Sequence, residues 1–268
     1  LKRCIVAPRG HVIIDCDSSQ IEARVLAWLA GEATLLTLFT DGADVYKYMA
    51  GRIYGKFDFA DVTPEERFIG KTTVLGAGYG MGGVKFQAQL ANMGKDVDLD
   101  MCKHIIKAYR SSNPHIAGWW NHLNTVLVAL ISGKEHYVDR AGLMQTTPFT
   151  GVSLPNGLYL NYPDLTRTSN GEFSYQTRAG RNKIYGGKVA ENLCQAVARC
   201  IIGEQMINIE KRYRVVLTVH DAIACVVPID EADEARAYIE ECMRTPPKWA
   251  VGLPLNCESG MAQNYGDC

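Results

Sequence analysis

Runs of consecutive apolar residues, and apolar residues at helical spacing, divide this chain into a legible order of elements. Val12-Ile13-Ile14 is a short buried-strand signal, and Val215–Val219 and Ile223–Val227 are two further apolar runs separated by a break containing His220 and Asp221. After the first run, Ile21, Val25, Leu26 and Leu29 recur with the period of one helix face, which predicts a helix from about Ser19 to Gly31. A second helix, about Val45 to Tyr54, follows Asp44 as its N-cap. Thr63-Pro64-Glu65-Glu66 then announces a third, with Thr as N-cap, Pro at the first helical position and Glu66 closing a capping box. Further helices are expected over about 84–93, 98–111, 114–132, 188–212 and 230–244, and a short strand near 255–258. Residues from about 135 to 185 are rich in Gly, Thr, Tyr and Pro, with alternations such as Leu158-Tyr-Leu-Asn-Tyr162, and read as an antiparallel β excursion. Strands at both ends with a helical block between them predict an α+β fold. Its sheet would bring residues 12–17 and 215–227 together around an inserted helical subdomain.

Composition narrows the class. With 268 residues, 47% hydrophobic and 21% charged, the chain has length for one large domain or two packed subdomains with a real core. No apolar run approaches the roughly 18 residues needed to span a membrane, and no signal peptide opens the chain, so a cytoplasmic protein is expected. Nine scattered cysteines without a CxxC pair speak against zinc and for reduced thiols. Net charge of −1 argues against a bulk polyanion binder but leaves room for a local basic groove. Phe173–Ala190 holds no acid and carries Arg178, Arg181, Lys183 and Lys188; a nucleic-acid contact and a solvated face are both consistent with that. The chain opens on Leu1 rather than Met and reads as a piece of something longer.

Three segments carry the chemistry. Asp17 comes just after a strand and just before a helix, and Asp221 lies at a tight turn between two apolar runs. Two carboxylates so placed can share a pair of divalent cations, although each one taken singly is an ordinary turn or cap residue. On the capped helix Arg67 and Lys71 are one turn apart, Leu75 and Gly78 continue their stripe, and Tyr79 sits beside it. Such a face can grip a polyphosphate with its cations and a base with its apolar part, or simply be a solvated cationic face. Gly70-Lys71-Thr72 imitates the end of a phosphate-binding P-loop, but position 65 is Glu rather than Gly and a helix cap stands where a strand is required.

Together these segments resemble the polymerase motifs of family A DNA polymerases, the DNA polymerase I type, and particularly its phage-encoded branch. Asp17 followed by Ser19-Gln-Ile-Glu-Ala-Arg24 is similar to the first motif, Arg67-x3-Lys71-x7-Tyr79-Gly80 to the second, and Val219-His220-Asp221 to the third. Gly186-Gly-Lys-Val-Ala-Glu-Asn-Leu-Cys-Gln-Ala-Val-Ala-Arg199 and Pro246-Pro-Lys-Trp-Ala-Val-Gly-Leu-Pro-Leu255 add to the likeness, which covers essentially the whole chain in order.

The resemblance implies a palm over 1–35 and 134–268 and an inserted fingers subdomain over 36–133, with thumb and exonuclease absent. It implies template-directed DNA synthesis with two Mg²⁺, acting on primer–template DNA and deoxynucleoside triphosphates, in a bacterial host cytoplasm if phage-encoded. Asp17 and Asp221 would be the metal carboxylates, completed by the Ser18 carbonyl. Glu22 would exclude a ribose 2′-hydroxyl; Arg67 and Lys71 would bind the triphosphate, with Lys71 protonating pyrophosphate. Tyr79 would stack at the template or nascent base pair, and Tyr46 stands where a triphosphate-contacting His is usual. Gln195 and His220 would touch primer and template, Lys188 and Arg181 would belong to the DNA-binding surface, and Lys2 or Arg3 would reach the minor groove.

Departures from the family pattern are Leu75 for an aromatic residue, Glu191 for Asn, Ala222 for an auxiliary Glu, and Asp15 as an extra acid near the metals. Two other readings compete. One is a non-catalytic or split-polymerase fragment that needs a thumb-bearing partner; the other is a two-metal nuclease, which gives no reason for Arg67, Lys71 or Glu22.

Overall fold

A computed structural model describes all 268 residues and divides into two compact units, Leu1–Arg24 with Val197–Cys268, and Val25–Ala196. The fold is α+β, as the order of apolar runs predicts. The first unit is built on a four-stranded antiparallel sheet in the order β10-β1-β9-β8, formed by Cys257–Ala262, His11–Ser18, Ala222–Pro228 and Val215–Val219. The two expected strand regions are therefore neighbours, with Asp17 opposite Ala222 and Asp15 opposite Ala224. One face of the sheet, carrying Ile14, Cys16 and Ser18, is buried beneath helix α9, Ala232–Arg244. On the other, Ile13 packs with Ala7, Ala224 and Tyr265. Because side chains alternate along a strand, Asp15 and Asp17 lie on this second face.

The second unit is mostly helical. After α1 (Ile21–Ala30), which begins in the first unit, come α2 (Ala33–Thr40), α3 (Val45–Tyr54), α4 (Pro64–Ala77), α5 (Gly83–Asn92), α6 (Leu99–Ser112) and α7 (Pro114–Ser132). The α3 and α4 helices pack along each other, with Gly70 as the point of closest approach: a Cβ there would lie 2.1 Å from the Tyr46 carbonyl. The expected capping box on α4 is present, the Thr63 hydroxyl accepting from the Glu66 amide and Glu66 accepting from the Thr63 amide. The β excursion resolves into two small antiparallel sheets. One comprises β2 (Thr146–Thr147), β3 (Gly151–Ser153) and β4 (Tyr159–Leu160); the other β5 (Thr166–Arg167), β6 (Phe173–Thr177) and β7 (Gly180–Ile184). The long helix α8, Gly186–Glu210, returns the chain to the first unit.

Two expectations need correction. The segment Ala33–Thr40 is helical where the pattern gave no element; its eight residues include three threonines and bury only Leu35 and Phe39, too short a stripe to show periodicity. Gly78 does not continue the exposed stripe of Lys71 and Leu75. It is buried, its carbonyl accepting the Trp120 indole N–H at 2.9 Å. No helix is long and apolar enough to cross a membrane.

Candidate active site

Sheet register assembles an acid face. Asp17 is the penultimate residue of β1 and stands directly opposite Glu258 on β10, with Asp15 two positions back on the same side. Asp221 occupies the two-residue turn His220-Asp221 that joins β8 to β9, one residue from the Ala222 that pairs with Asp17. The turn is tight: His220 takes a left-handed φ of +56°, a conformation a non-glycine residue adopts at some cost. Burial raises the Asp17 carboxyl above the ordinary range, and the charges of Asp221, Asp15 and Glu258 raise it further, Lys2 offsetting only part. Asp15 is raised by burial too, again partly offset by Lys2, and its Oδ1 is a buried acceptor with no donor. Like charges directly across a ladder destabilise it. This face is under-neutralised, and all of its donors are hard oxygens.

The loop between β1 and α1 is held by a residue that the sequence pattern did not mark for a role. Arg24 is buried to 4% exposure; its Nε donates to the Ser19 carbonyl at 2.8 Å, Nη1 to the Pro254 carbonyl at 3.0 Å and Nη2 to Gln20 Oε1 at 3.3 Å. Gln20 itself sits at a left-handed φ of +52°. The guanidinium therefore fixes the Ser19-Gln20 turn that follows Ser18 and leads into Glu22, which lies in the first turn of α1. A charged residue next to Val25 on the apolar face of a helix was the available signal. Ser18 is buried, its hydroxyl turned into the face beneath α9 and without a hydrogen-bond partner. Lys2 lies 5.1 Å from the centre of the Tyr265 ring and close enough to act on both aspartates, whereas Arg3 is tied to Asp267 at 2.9 Å.

In the helical unit the cation stripe is real. Arg67 is half-buried and Lys71 and Leu75 are exposed along one line of α4. Tyr46 lies against both cations, its ring centre 5.3 Å from the Arg67 guanidinium and 5.8 Å from Lys71 Nζ. Asp44 does two jobs: Oδ1 accepts the Tyr46 and Lys47 amides as the N-cap of α3, and Oδ2 accepts Arg67 Nε at 2.6 Å. Burial alone would raise this carboxyl, but Arg67 and the Lys47 and Tyr46 amides together hold it below its ordinary value. Tyr79 follows the end of α4, half-buried, with α8 starting against its backbone: a Cβ at Gly187 would stand 2.4 Å from the Tyr79 carbonyl. Gln195 is exposed on α8, and Lys188 in the first turn of that helix pairs with Glu191 at 2.7 Å. Arg181 on β7 donates to the Asp164 carbonyl, the Thr166 hydroxyl and the Ser174 carbonyl, none of them a carboxylate.

The sequence profile of DNA polymerase family A matches residues 1–267. The chain belongs to DNA polymerase family A. Among curated proteins it is 29% identical over 283 residues to a DNA polymerase of Bacillus phage SP02, covering 99% of this chain and 43% of that protein. It is 26% identical over 265 residues to the thermostable DNA polymerase I of Thermus thermophilus, covering 99% of this chain and 28% of the relative. Among solved structures, the POL domain of Pol1 from M. smegmatis, described as a complex with DNA primer-template and dNTP, superposes with a TM-score of 0.67 at 21% identity, covering 98% of this chain and 42% of that one. That likeness establishes the fold. This family A chain spans less than half the length of each of these relatives.

Proposed function

We propose that the chain forms the palm (1–35 and 134–268) and fingers (36–133) of a polymerase that extends a primer 3′-hydroxyl with deoxynucleotides chosen by a DNA template. These bounds differ from the two compact units, which divide at residues 24 and 196. The observation that carries the reading is the acid face: Asp17 and Asp221 brought side by side by β1 and the β8–β9 turn, with too little positive charge around them. An all-oxygen, charge-crowded donor set fits Mg²⁺, and Asp17, Asp221 and the Ser18 carbonyl would hold two such ions. When bound, they supply the charge that activates the attacking oxygen and stabilises the pyrophosphate as it leaves.

The protein's own side chains do the rest. The primer 3′-hydroxyl gives its proton to water as its oxygen attacks the α-phosphorus, the bond from that phosphorus to the oxygen bridging it to the β-phosphate breaks, and pyrophosphate departs. Arg67 and Lys71 hold the triphosphate on the exposed stripe of α4, and Lys71 Nζ donates a proton to the leaving pyrophosphate. Tyr46, against both cations, sets their spacing. Glu22 fills the space of a ribose 2′-hydroxyl, Tyr79 supports the templating base, and Gln195, His220, Lys188, Arg181, Lys2 and Arg3 supply the DNA contacts. If the chain is phage-encoded the work belongs in a bacterial host cytoplasm, and a thumb-bearing segment or chain would add the phosphate grip that a net charge of −1 does not provide.

The test is primer extension by the full chain in Mg²⁺ at low salt. Asp17→Ala and Asp221→Ala each abolish extension while the thermal unfolding midpoint does not fall; retained extension in either variant overturns the metal assignment.

A further inference from the structure

Within the helical unit, between the first turns of α7 and residues 137–140, lies a cavity of about 360 Å³ that the polymerase reading does not use. One wall is a pattern on α7: His115, Trp119 and His122 fall at i, i+4 and i+7 and share a helix face, with Gly118 among them. Two bonds lock this wall to the opposite one. The Trp119 indole N–H donates to the Val138 carbonyl at 2.8 Å, and His122 Nε2 donates to the Tyr137 carbonyl at 2.9 Å. The cavity is therefore held open by its own side chains.

Its charge is one-sided. Arg140 lies across the residue that ends α1: a Cβ on Gly31 would stand 3.1 Å from Arg140 Nη1 and 3.2 Å from its Cδ. The guanidinium is exposed and has neither an ion pair nor a hydrogen-bond partner, and the His115 ring has none either. The acids nearby are turned inward. Asp139 is 6% exposed, its Oδ2 accepting the Ala141 and Leu143 amides and its Oδ1 the Met144 amide. Glu32, 3% exposed, accepts the His115 amide at 3.0 Å. What the cavity lacks is an anion, and a guanidinium with an imidazole offers donors to more than one of its oxygens. It also offers a ring. Tyr137 is 63% exposed, backed by Gly142, where a Cβ would lie 3.5 Å from the ring. With Nε2 engaged as a donor, the uncharged His122 ring keeps Nδ1 as an acceptor. A ring face, an acceptor and unpaired donors, in a volume usual for small ligands, suit a planar base that carries a phosphate. We propose that Tyr137, His122, His115 and Arg140 bind a free nucleoside monophosphate. The site shares no residue with Asp17, Asp221 or the α4 stripe and does not rest on the polymerase reading.

Isothermal titration calorimetry on the full chain tests it, with deoxyadenosine monophosphate in metal-free buffer without DNA. The native chain binds the monophosphate at least about tenfold more tightly than deoxyadenosine or deoxyribose 5-phosphate, because ring and phosphate are both held. Arg140→Gln, a surface change, weakens the monophosphate about tenfold and leaves deoxyadenosine as it was. Tyr137→Ala weakens the monophosphate about tenfold through the lost ring face. Gly118→Leu fills the cavity without straining α7: a Cβ there meets nothing within 4 Å, and leucine is the better helix former. Binding is therefore lost in that variant while the unfolding midpoint does not fall. Arg67→Ala with Lys71→Ala keeps the binding, which separates this site from the α4 stripe. No binding by the native chain, binding that survives Gly118→Leu, equal affinity for the ring-free phosphate, or loss in the α4 double variant each overturns the site.

Discussion

In the sheet, Asp17 faces Glu258 across one rung, with Asp15 and Asp221 close by, and the one offsetting cation acting on these aspartates is Lys2. In the helical unit, Arg67 is bound to Asp44, Lys56 to Glu66, and the first turn of α4 is closed by its capping box. One region leaves its carboxylates repelling each other, and the other neutralises Arg67 in advance while Lys71 stays without an ion pair. A face of crowded carboxylates is stabilised by a bound cation and strained without one. A cation such as Arg67 is kept in order by an internal carboxylate, which an incoming anion can displace. The first region should therefore gain stability on losing a charge, and the second should lose some.

The largest effect expected on this comparison is at Lys71. Unlike Arg67 it forms no ion pair, so it is the cation of the stripe most available to a substrate. Lys71→Ala should lower the extension rate by about a hundredfold, the lower end of what a positioned general acid contributes. A rate unchanged within twofold would mean that the stripe does not face the triphosphate. Next comes Glu22, whose backbone is set by Arg24 through Ser19, Gln20 and Pro254. Glu22→Ala opens space rather than removing a charge from the acid face, so it should raise ribonucleotide incorporation by about tenfold with deoxynucleotide use retained, a size set by the cost of overpacking one hydroxyl. Unaltered sugar selectivity would remove the gate role.

Smaller, and more direct, is the stability of the acid face. Asp17→Asn relieves a like-charge rung worth roughly 0.2–1 kcal/mol, which for a chain of this size raises the unfolding midpoint by about 1–3 °C in metal-free buffer at neutral pH. The sign follows from the raised folded-state carboxyl: its favourable state is the protonated one, present at low pH and lost as pH rises. The gain from Asn must therefore shrink as pH falls through the carboxylate range. Mg²⁺ should raise the midpoint of the native chain and have less effect on the variant, a readout independent of catalysis. A variant less stable than the native chain at neutral pH would mean that Asp17 is a structural cap and not a strained ligand.

How much of this was legible beforehand depends on the range over which each residue acts. The α4 capping box and the Asp44 cap are local: side chain and amide lie within three residues, and the pattern names both. The apolar runs flanking Asp17 and Asp221 state that two strands end there, and the two-residue turn follows from their spacing. Register is a different matter. Nothing near Glu258 says that it will stand opposite Asp17, because the pairing of β1 with β10 is set by turns and packing elsewhere. The second oxygen of Asp44 reaching Arg67, the Arg24 contact with Pro254, and the Trp120 indole on Gly78 are likewise bonds between distant segments. Short α2 was missed for the opposite reason, having too few residues to display a period.

The smallest effect sits on the neutralised side of the comparison. Asp44→Asn keeps the N-cap of α3, since Asn caps as well as Asp, and removes only the charge facing Arg67. The pair is partly exposed, at 31% and 41%, so its loss at neutral pH should cost at most about 1 kcal/mol in urea unfolding. The folded-state carboxyl lies below its ordinary value of 3.8, so its stabilisation is present above that pH and is lost as pH falls through the folded value. The native chain and the Asn variant should therefore differ at pH 7 and converge once pH has fallen below the folded value of Asp44. A gap that stays constant across that window would mean that Asp44 acts as a cap alone and that Arg67 is already free to meet a phosphate.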